Sequence, residues 1–385
     1  MKWPKPFTFS APATLPTSMV RKSTSTGGSM SEAVSEGVID QLFSTAAAPV
    51  DCKEAVALLW QHYGLRGVAS PLNSERDANF HIRAEDGREF VLKLTHPAEN
   101  RAVTDFQSRA LLHARAADPG LPIPQLMPRL DGQPYAPVSM ADGSQRVLRL
   151  LSYLSGQPLH QVSRSPAQRT HLGQTLGRLD NALRDYVHPA AHHPLLWDIQ
   201  HAERLQALLA ETPDSPQKAV LSDWLAHFMQ QVQPRLDGLR HQVIHNDLNP
   251  YNVLVDPQDH ITTVGLIDFG DMVQAPLINE LAVACSYQLS EHDNPLDSAG
   301  ELVAGYHAVC PLLDAEIDLL YELILTRLCM TVTITGWRAA RYPENRTYIL
   351  RNHALSWDGM QRLWLLGRDF ASDYLYRLCR TKGQA

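Results

Sequence analysis

Val243-Ile244-His245-Asn246-Asp247-Leu248-Asn249-Pro250-Tyr251-Asn252-Val253-Leu254-Val255 is the stretch on which the reading of this chain turns. Two apolar runs flank a polar loop, and His245, Asp247 and Asn252 stand at the H-x-D-L-x-x-x-N spacing of a phosphoryl-transfer loop. A second apolar run, Gly265-Leu266-Ile267, delivers Asp268-Phe269-Gly270. The spacing has a chemical reason. A carboxylate at Asp247 can accept or orient the hydroxyl of an incoming nucleophile. The amide of Asn252 supplies an oxygen to a magnesium ion, and the carboxylate of Asp268 binds magnesium that bridges nucleotide phosphates. His245 reads as the structural member, its ring holding the loop by hydrogen bonds. An ordinary polar hairpin is the plainer alternative. A loop set between apolar strands and followed by Ile-Asp-Phe-Gly at the end of another outweighs it.

Upstream, Phe90-Val91-Leu92-Lys93-Leu94 places a cation in a strand of alternating apolar character. Given the loop downstream, Lys93 is expected to grip the α/β-phosphates; on its own it reads equally as a surface lysine on an edge strand. An acid on the following helix should pair with that lysine, yet the aligned position is Gln107. Glu99 and Asp105 are the nearby acids; either the Gln107 amide or Asp105, about half a helical turn away, is expected to support Lys93, with a solvated helix face as the alternative for each. No G-x-G-x-x-G loop is present. Ser74-Glu75-Arg76-Asp77-Ala78-Asn79 stands in its place, where backbone N–H groups and the side chains of Ser74 and Asn79 can cradle phosphate oxygens; a surface turn is the alternative.

The chain has 385 residues, 44 % hydrophobic and 19 % charged, enough for a sizeable core in two lobes. Lys+Arg 34 against Asp+Glu 41 gives a net charge of −7, which argues against nucleic acid or an anionic membrane as partner. No run approaches the roughly 18 apolar residues of a membrane span. Cys52, Cys285, Cys310, Cys329 and Cys379 lack C-x-x-C spacing and suit reduced thiols, so a cytoplasmic location is expected. Residues 1–30, rich in Ser, Thr and Pro, are expected to be a disordered tail or the product of an upstream start codon before Met30.

Periodicity organises the rest. A helical pattern from Val34 to Tyr63 stops at Gly64, and Asn79–Arg83 and Glu89–Leu94 read as strands joined at Glu85-Asp86-Gly87. A helix is expected from about Ala98 to Ala117. Asp131-Gly132 signals a hairpin between Gln125–Arg129 and Ala136–Met140, and Arg146–Tyr153 is a further strand. From Pro166 onward the chain is mostly helical apart from the island His241–Phe269. The expectation is an α+β chain: a nucleotide-binding lobe over 31–155, with a small antiparallel sheet and one long helix, then a larger helical lobe over 156–385.

Peptide substrates are disfavoured. Asn249 stands where protein kinases usually place a lysine, and Ala275-Pro276 follows within six residues of Phe269, leaving no room for a docking loop. Through Lys93, His245-Asn246-Asp247, Asn252 and Asp268 the chain resembles the aminoglycoside phosphotransferase/choline kinase-like superfamily over about Leu58 to Leu366. Ser74-Glu75-Arg76-Asp77, Asp268-Phe269-Gly270-Asp271-Met272 and Asn279-Glu280-Leu281-Ala282-Val283-Ala284 look most like its hydroxylysine kinase-like branch, with homoserine kinases as neighbours. The resemblance implies a bilobal kinase-like fold, ATP or GTP, Mg2+, and phosphoryl transfer to a small hydroxylated amine or amino acid. Gln107 departs from the superfamily pattern. Two other functions compete: inactivation of an aminoglycoside, or a pseudokinase-like nucleotide-binding module.

Acceptor recognition requires carboxylates for an ammonium and a cation for a carboxylate. Asp271 can face the acceptor or a metal. Glu280 can face the same pocket or cap its own helix. Arg327, Trp337, Arg338 and Arg341 form a late basic and aromatic cluster from which Arg327 or Arg338 can bind a carboxylate, unless these are charges on solvated helix faces.

Overall fold

The computed structural model describes residues 48–74 and 76–380. The expected tail over 1–30 and the beginning of the first helical pattern lie outside them. Helix α1 runs Cys52–Tyr63, with Asp51 accepting from the Glu54 amide and Gly64 closing it at φ +64°. Strands β1 (Gly67–Leu72), β2 (Ala78–Ala84), β3 (Glu89–Leu94), β4 (Ala136–Ser139) and β5 (Gln145–Ser152) form an antiparallel sheet in the order β1-β2-β3-β5-β4. Alternation gives the sheet two chemistries. Phe80, Ile82, Phe90, Leu92 and Leu94 pack with Leu59 and Tyr63 of α1 in one apolar cluster. The other parity carries polar side chains, and register puts Asn79 and Arg149 directly beside Lys93.

Helix α2 spans Arg101–Ala117, capped by the Asn100 side chain on the Ala102 amide. The hairpin reading at Asp131-Gly132 needs correction. Gln125–Arg129 runs beside β5 through the isolated bridge Leu126–Leu151 and does not pair with β4, which pairs with β5 across Asp142-Gly143. Both Asp-Gly pairs form tight turns with glycine at positive φ, +78° at Gly132 and +81° at Gly143, so turn chemistry alone could not tell them apart. Strand β1 was not foreseen in the sequence; as an edge strand with one buried residue, Ala69, it has almost no apolar pattern.

The helical lobe is built on α3 (Pro166–Leu183), α4 (Pro216–His227), α5 (Ile278–Ser286), α6 (Leu296–His307), α7 (Asp314–Arg341), α8 (His353–Leu366) and α9 (Arg368–Arg380). Helices α3 and α6 cross at backbone contact. A Cβ on Gly173 would lie 2.1 Å from the Leu302 carbonyl oxygen, and one on Gly305 would lie 2.1 Å from that of Thr170. Only hydrogen fits at either position. Helix α7 is buried around most of its circumference, as expected of a helix at the centre of a lobe.

Two small sheets interrupt the helices. Strand β7 (His241–Ile244) pairs with β10 (Val273–Pro276), and β8 (Val253–Val255) lies between β6 (Gln157–Pro158) and β9 (Thr263–Leu266). The chain thus leaves β7 into the loop 245–252 and leaves β9 into Ile267-Asp268. The Ile267 amide donates to the Asn252 carbonyl at 2.9 Å, tying the two segments side by side. The mixed α+β, kinase-like architecture agrees with the expected class. All five cysteines are free thiols, and among the described residues no helix is long and apolar enough to cross a membrane.

Candidate active site

The loop after β7 is fixed from below. Glu280, fully buried on α5, accepts the His245 and Asn246 amides on one oxygen, Oε2, at 2.5 and 3.0 Å. Asn246 has φ +65°, which turns the chain sharply at this point. Burial pushes the Glu280 carboxyl up to about 7. Glu280 therefore neither caps its own helix through a side-chain bond nor lines an acceptor pocket. It is a strut under the loop.

His245 is also fully buried. The Asp247 amide donates to its Nδ1 at 3.3 Å, so Nε2–H donates to the Ile267 carbonyl at 3.1 Å. Burial lowers its pKa to about 4, which keeps the ring neutral in this role, and Phe269 packs edge-on against it with centroids 4.7 Å apart. The ring bonds across the two loops.

Asp247 Oδ2 accepts from Asn249 Nδ2 at 2.9 Å and Asn252 Nδ2 at 2.8 Å. Its Oδ1 lies 3.6 Å from Arg327 Nη2. Burial raises this carboxyl to about 6, opposed by Arg327 and by the two amides. With Asn252 Nδ2 also on the Asp247 carbonyl at 2.9 Å, the Asn252 Oδ1 is directed away from Asp247. Asp268 takes φ +61°, an uncommon conformation for an aspartate, and this brings its carboxylate 3.7 Å from Lys93 Nζ. Lys93 is the first cause of its lowered pKa. Lys93 and Asp268 thus form one close pair and Asn252 and Asp247 another, and the Ile267–Asn252 backbone bond sets the two side by side.

The partners of Lys93 differ from expectation. Asp77 in the β1–β2 connection lies 4.0 Å from Nζ, with its Oδ1 accepting the His96 amide at 2.9 Å. Asp105 is elsewhere: it accepts from Tyr135 Oη at 2.8 Å and from Arg109 at 2.7 Å, and lies 3.1 Å from His188 Nε2. Gln107 does not hold Lys93 either. Its Nε2 donates to the Gly270 carbonyl at 2.9 Å, and its Oε1 accepts from buried Arg149 at 3.3 Å. Asn79, beside Lys93 in register, has a buried Oδ1 without a hydrogen-bond partner. Ser74 is exposed, and among the described residues no hydrogen bond joins it to Lys93 or Asp268.

On the acceptor side, Arg327 is no solvated charge. It is 1 % exposed, donates to the Trp197 carbonyl at 3.0 Å, and lies over the Trp197 ring at 4.8 Å. Asp271, in the turn Phe269–Asp271, is near enough for its charge to raise the Arg327 pKa. Arg338 lies eleven residues along α7, about 16 Å by helical rise, and is not brought to Asp247. Trp337 and Arg341 both bind Glu211 at 2.7 Å. Asp77, Arg149 and Trp197 carried no sequence signal for these roles, because cross-strand register and loop packing bring them in.

A model of the phosphotransferase enzyme family (APH) matches residues 68–327. A hydroxylysine kinase of Danio rerio is 32 % identical over 321 residues, 80 % of this chain and 89 % of that protein. One of Mus musculus is 25 % identical over 351 residues, 85 % of this chain and 93 % of that protein. Among solved structures, a microcompartment-associated aminopropanol kinase superposes with TM-score 0.61 at 21 % identity, over 83 % of this chain and 98 % of that one. An amicoumacin kinase, solved with AMP-PNP and Ca2+, gives 0.62 at 16 % identity, over 84 % and 94 %. These two show a shared fold. The family match reaches from the first strand of the sheet to Arg327 beside Asp247, and with it the chain belongs to the phosphotransferase enzyme family.

Proposed function

We propose that this phosphotransferase moves the γ-phosphate of ATP or GTP to the hydroxyl of a small hydroxylated amino acid, with hydroxylysine as the first acceptor to test. The observation that carries the reading is the convergence of Lys93, Asp268, Asn252 and Asp247, with a cation, Arg327, beside Asp247. The acceptor class follows the hydroxylysine kinase relatives.

The residues fit Mg2+. Asn252 Oδ1 and the Asp268 carboxylate are hard oxygen donors. No cluster of three or more His, Cys, Asp or Glu able to hold a metal occurs among the described residues, which suits an ion that takes most of its remaining ligands from phosphates and water. When bound, Mg2+ would neutralise charge on the phosphates. Lys93 contributes a fixed ammonium to the same oxygens, with Asp77 behind it. Asp247 accepts the acceptor hydroxyl proton, or its hydrogen bond, while Asn249 and Asn252 hold the carboxylate in one rotamer. Catalysis is then positioning and electrostatic stabilisation.

Lys93 keeps an acid partner in Asp77 despite Gln107, which weighs against a pseudokinase. Arg327 beside Asp247 weighs against a polycationic aminoglycoside. A coupled assay with ATP and GTP against hydroxylysine, homoserine, choline, ethanolamine and an aminoglycoside tests the reading. Turnover with hydroxylysine or homoserine well above the amines supports it; turnover of an aminoglycoside alone overturns the acceptor assignment, and no turnover with any acceptor or nucleotide overturns the kinase reading.

A further inference from the structure

Arg351 lies beyond α7, in the turn Leu350–Asn352, and is exposed. Its guanidinium lies over two rings, 4.3 Å from the centroid of Tyr251 and 4.3 Å from that of Tyr348. Tyr251 belongs to the loop that carries Asp247 and Asn252, and its own ring stacks on His160 with centroids 4.1 Å apart. A surface arginine with one aromatic neighbour is commonplace. This one meets two rings, and one of them is four positions from Asp247. A contact with a ring engages the face of a planar guanidinium and does not consume its N–H groups, which can take a carboxylate through two parallel hydrogen bonds.

Among the described residues its charge also meets no acid. Arg327 is committed to Asp247 and the Trp197 carbonyl. Among the described residues, Arg351 makes the two ring contacts and no ion pair or hydrogen bond. Burial raises the pKa of the Tyr287 hydroxyl, and the charges of Arg327, Asp247 and Arg351 all bear on it.

We infer that Arg351 is the anchor for the carboxylate of the acceptor, so that a hydroxy amino acid spans from Asp247, at its hydroxyl, to the Tyr251–Arg351–Tyr348 stack. The inference rests on the kinase reading above and moves the carboxylate role away from Arg327 and Arg338. It also gives the enzyme a means of preferring amino acids over amino alcohols, because only the former reward the held guanidinium.

The test compares hydroxylysine with hydroxylysine amide, whose carboxylate is neutralised, using the full chain with ATP and Mg2+. Losing one charge-assisted pair should raise the KM for hydroxylysine about tenfold in Arg351→Ala, with kcat nearly unchanged. The KM for the amide and the KM for ATP should stay as in the unaltered enzyme, and Arg351→Lys should fall between. Equal changes for both acceptors would mean that Arg351 acts only by supporting Tyr251, and no change would mean that it does not bind the acceptor; either result overturns the inference while leaving the kinase reading intact. If the unaltered enzyme phosphorylates the amide or simple amino alcohols as well as hydroxylysine, the carboxylate has no anchor and the inference falls. If it phosphorylates nothing, the failure belongs to the kinase reading itself.

Discussion

Replacing Asp77 by asparagine isolates a single charge. The amide keeps an oxygen for the His96 N–H, so the turn before β2 retains its hydrogen bond and only the anion 4.0 Å from Lys93 Nζ is lost. At that separation the gross attraction is about 4 kcal/mol for an effective dielectric of 20. The side chains are 15 % and 23 % exposed, so water still screens the pair, and recovered desolvation and side-chain entropy offset more than half. Lys93 also keeps Asp268 at 3.7 Å. What remains is about 1.4 kcal/mol of lost positioning, a roughly tenfold rise in the KM for nucleotide. The measurement is steady-state kinetics in ATP at saturating acceptor, with Asp105→Asn alongside. Asp105 is occupied by Tyr135, Arg109 and His188, so its variant should leave the KM for nucleotide where it was. A rise with Asp105→Asn and none with Asp77→Asn would refute the reasoning and return the support of Lys93 to α2.

Asp247→Ala should lower kcat by about a thousandfold while ATP with Mg2+ still raises the melting temperature; a wild-type rate would remove Asp247 from the mechanism. Gly305→Ala forces a methyl against the Thr170 carbonyl and should cost about 3 kcal/mol in chemical denaturation, since backbone lies on both sides of the clash. For Glu280 the sign is set by burial, which lifts its folded pKa to about 7 from an ordinary 4.5. Its contribution to stability is therefore present below about pH 4.5 and lost as pH rises through 7. Glutamine offers the same single oxygen to the His245 and Asn246 amides. The melting temperature of the wild type should thus fall relative to Glu280→Gln across that window, and parallel curves would show that Glu280 does not titrate there.

How much could be read from the residues alone depended on distance along the chain. His245, Asp247 and Asn252 lie within eight positions, and one loop fixes their geometry, so spacing was enough. Lys93 was legible only once that loop was read, since strand alternation alone fits a surface lysine equally well. Its neighbours were not: Arg149 comes beside it only because β3 pairs with β5, and Asp77 reaches it from the preceding connection. Arg327 could not be told from a solvated charge, because a buried helix such as α7 has no polar face against which to recognise an exceptional residue.

Gln107 shows why a departure from a family pattern is poor grounds for calling a site degenerate. A glutamate at this position could accept from Arg149 but could not donate to the Gly270 carbonyl, and the amide does both. Helix α2 is thereby bonded to the turn that follows Asp268, while the acid beside Lys93 comes from the β1–β2 connection. Lys93 keeps an acid neighbour, and the helix keeps a tie to the turn after Asp268 through a backbone carbonyl.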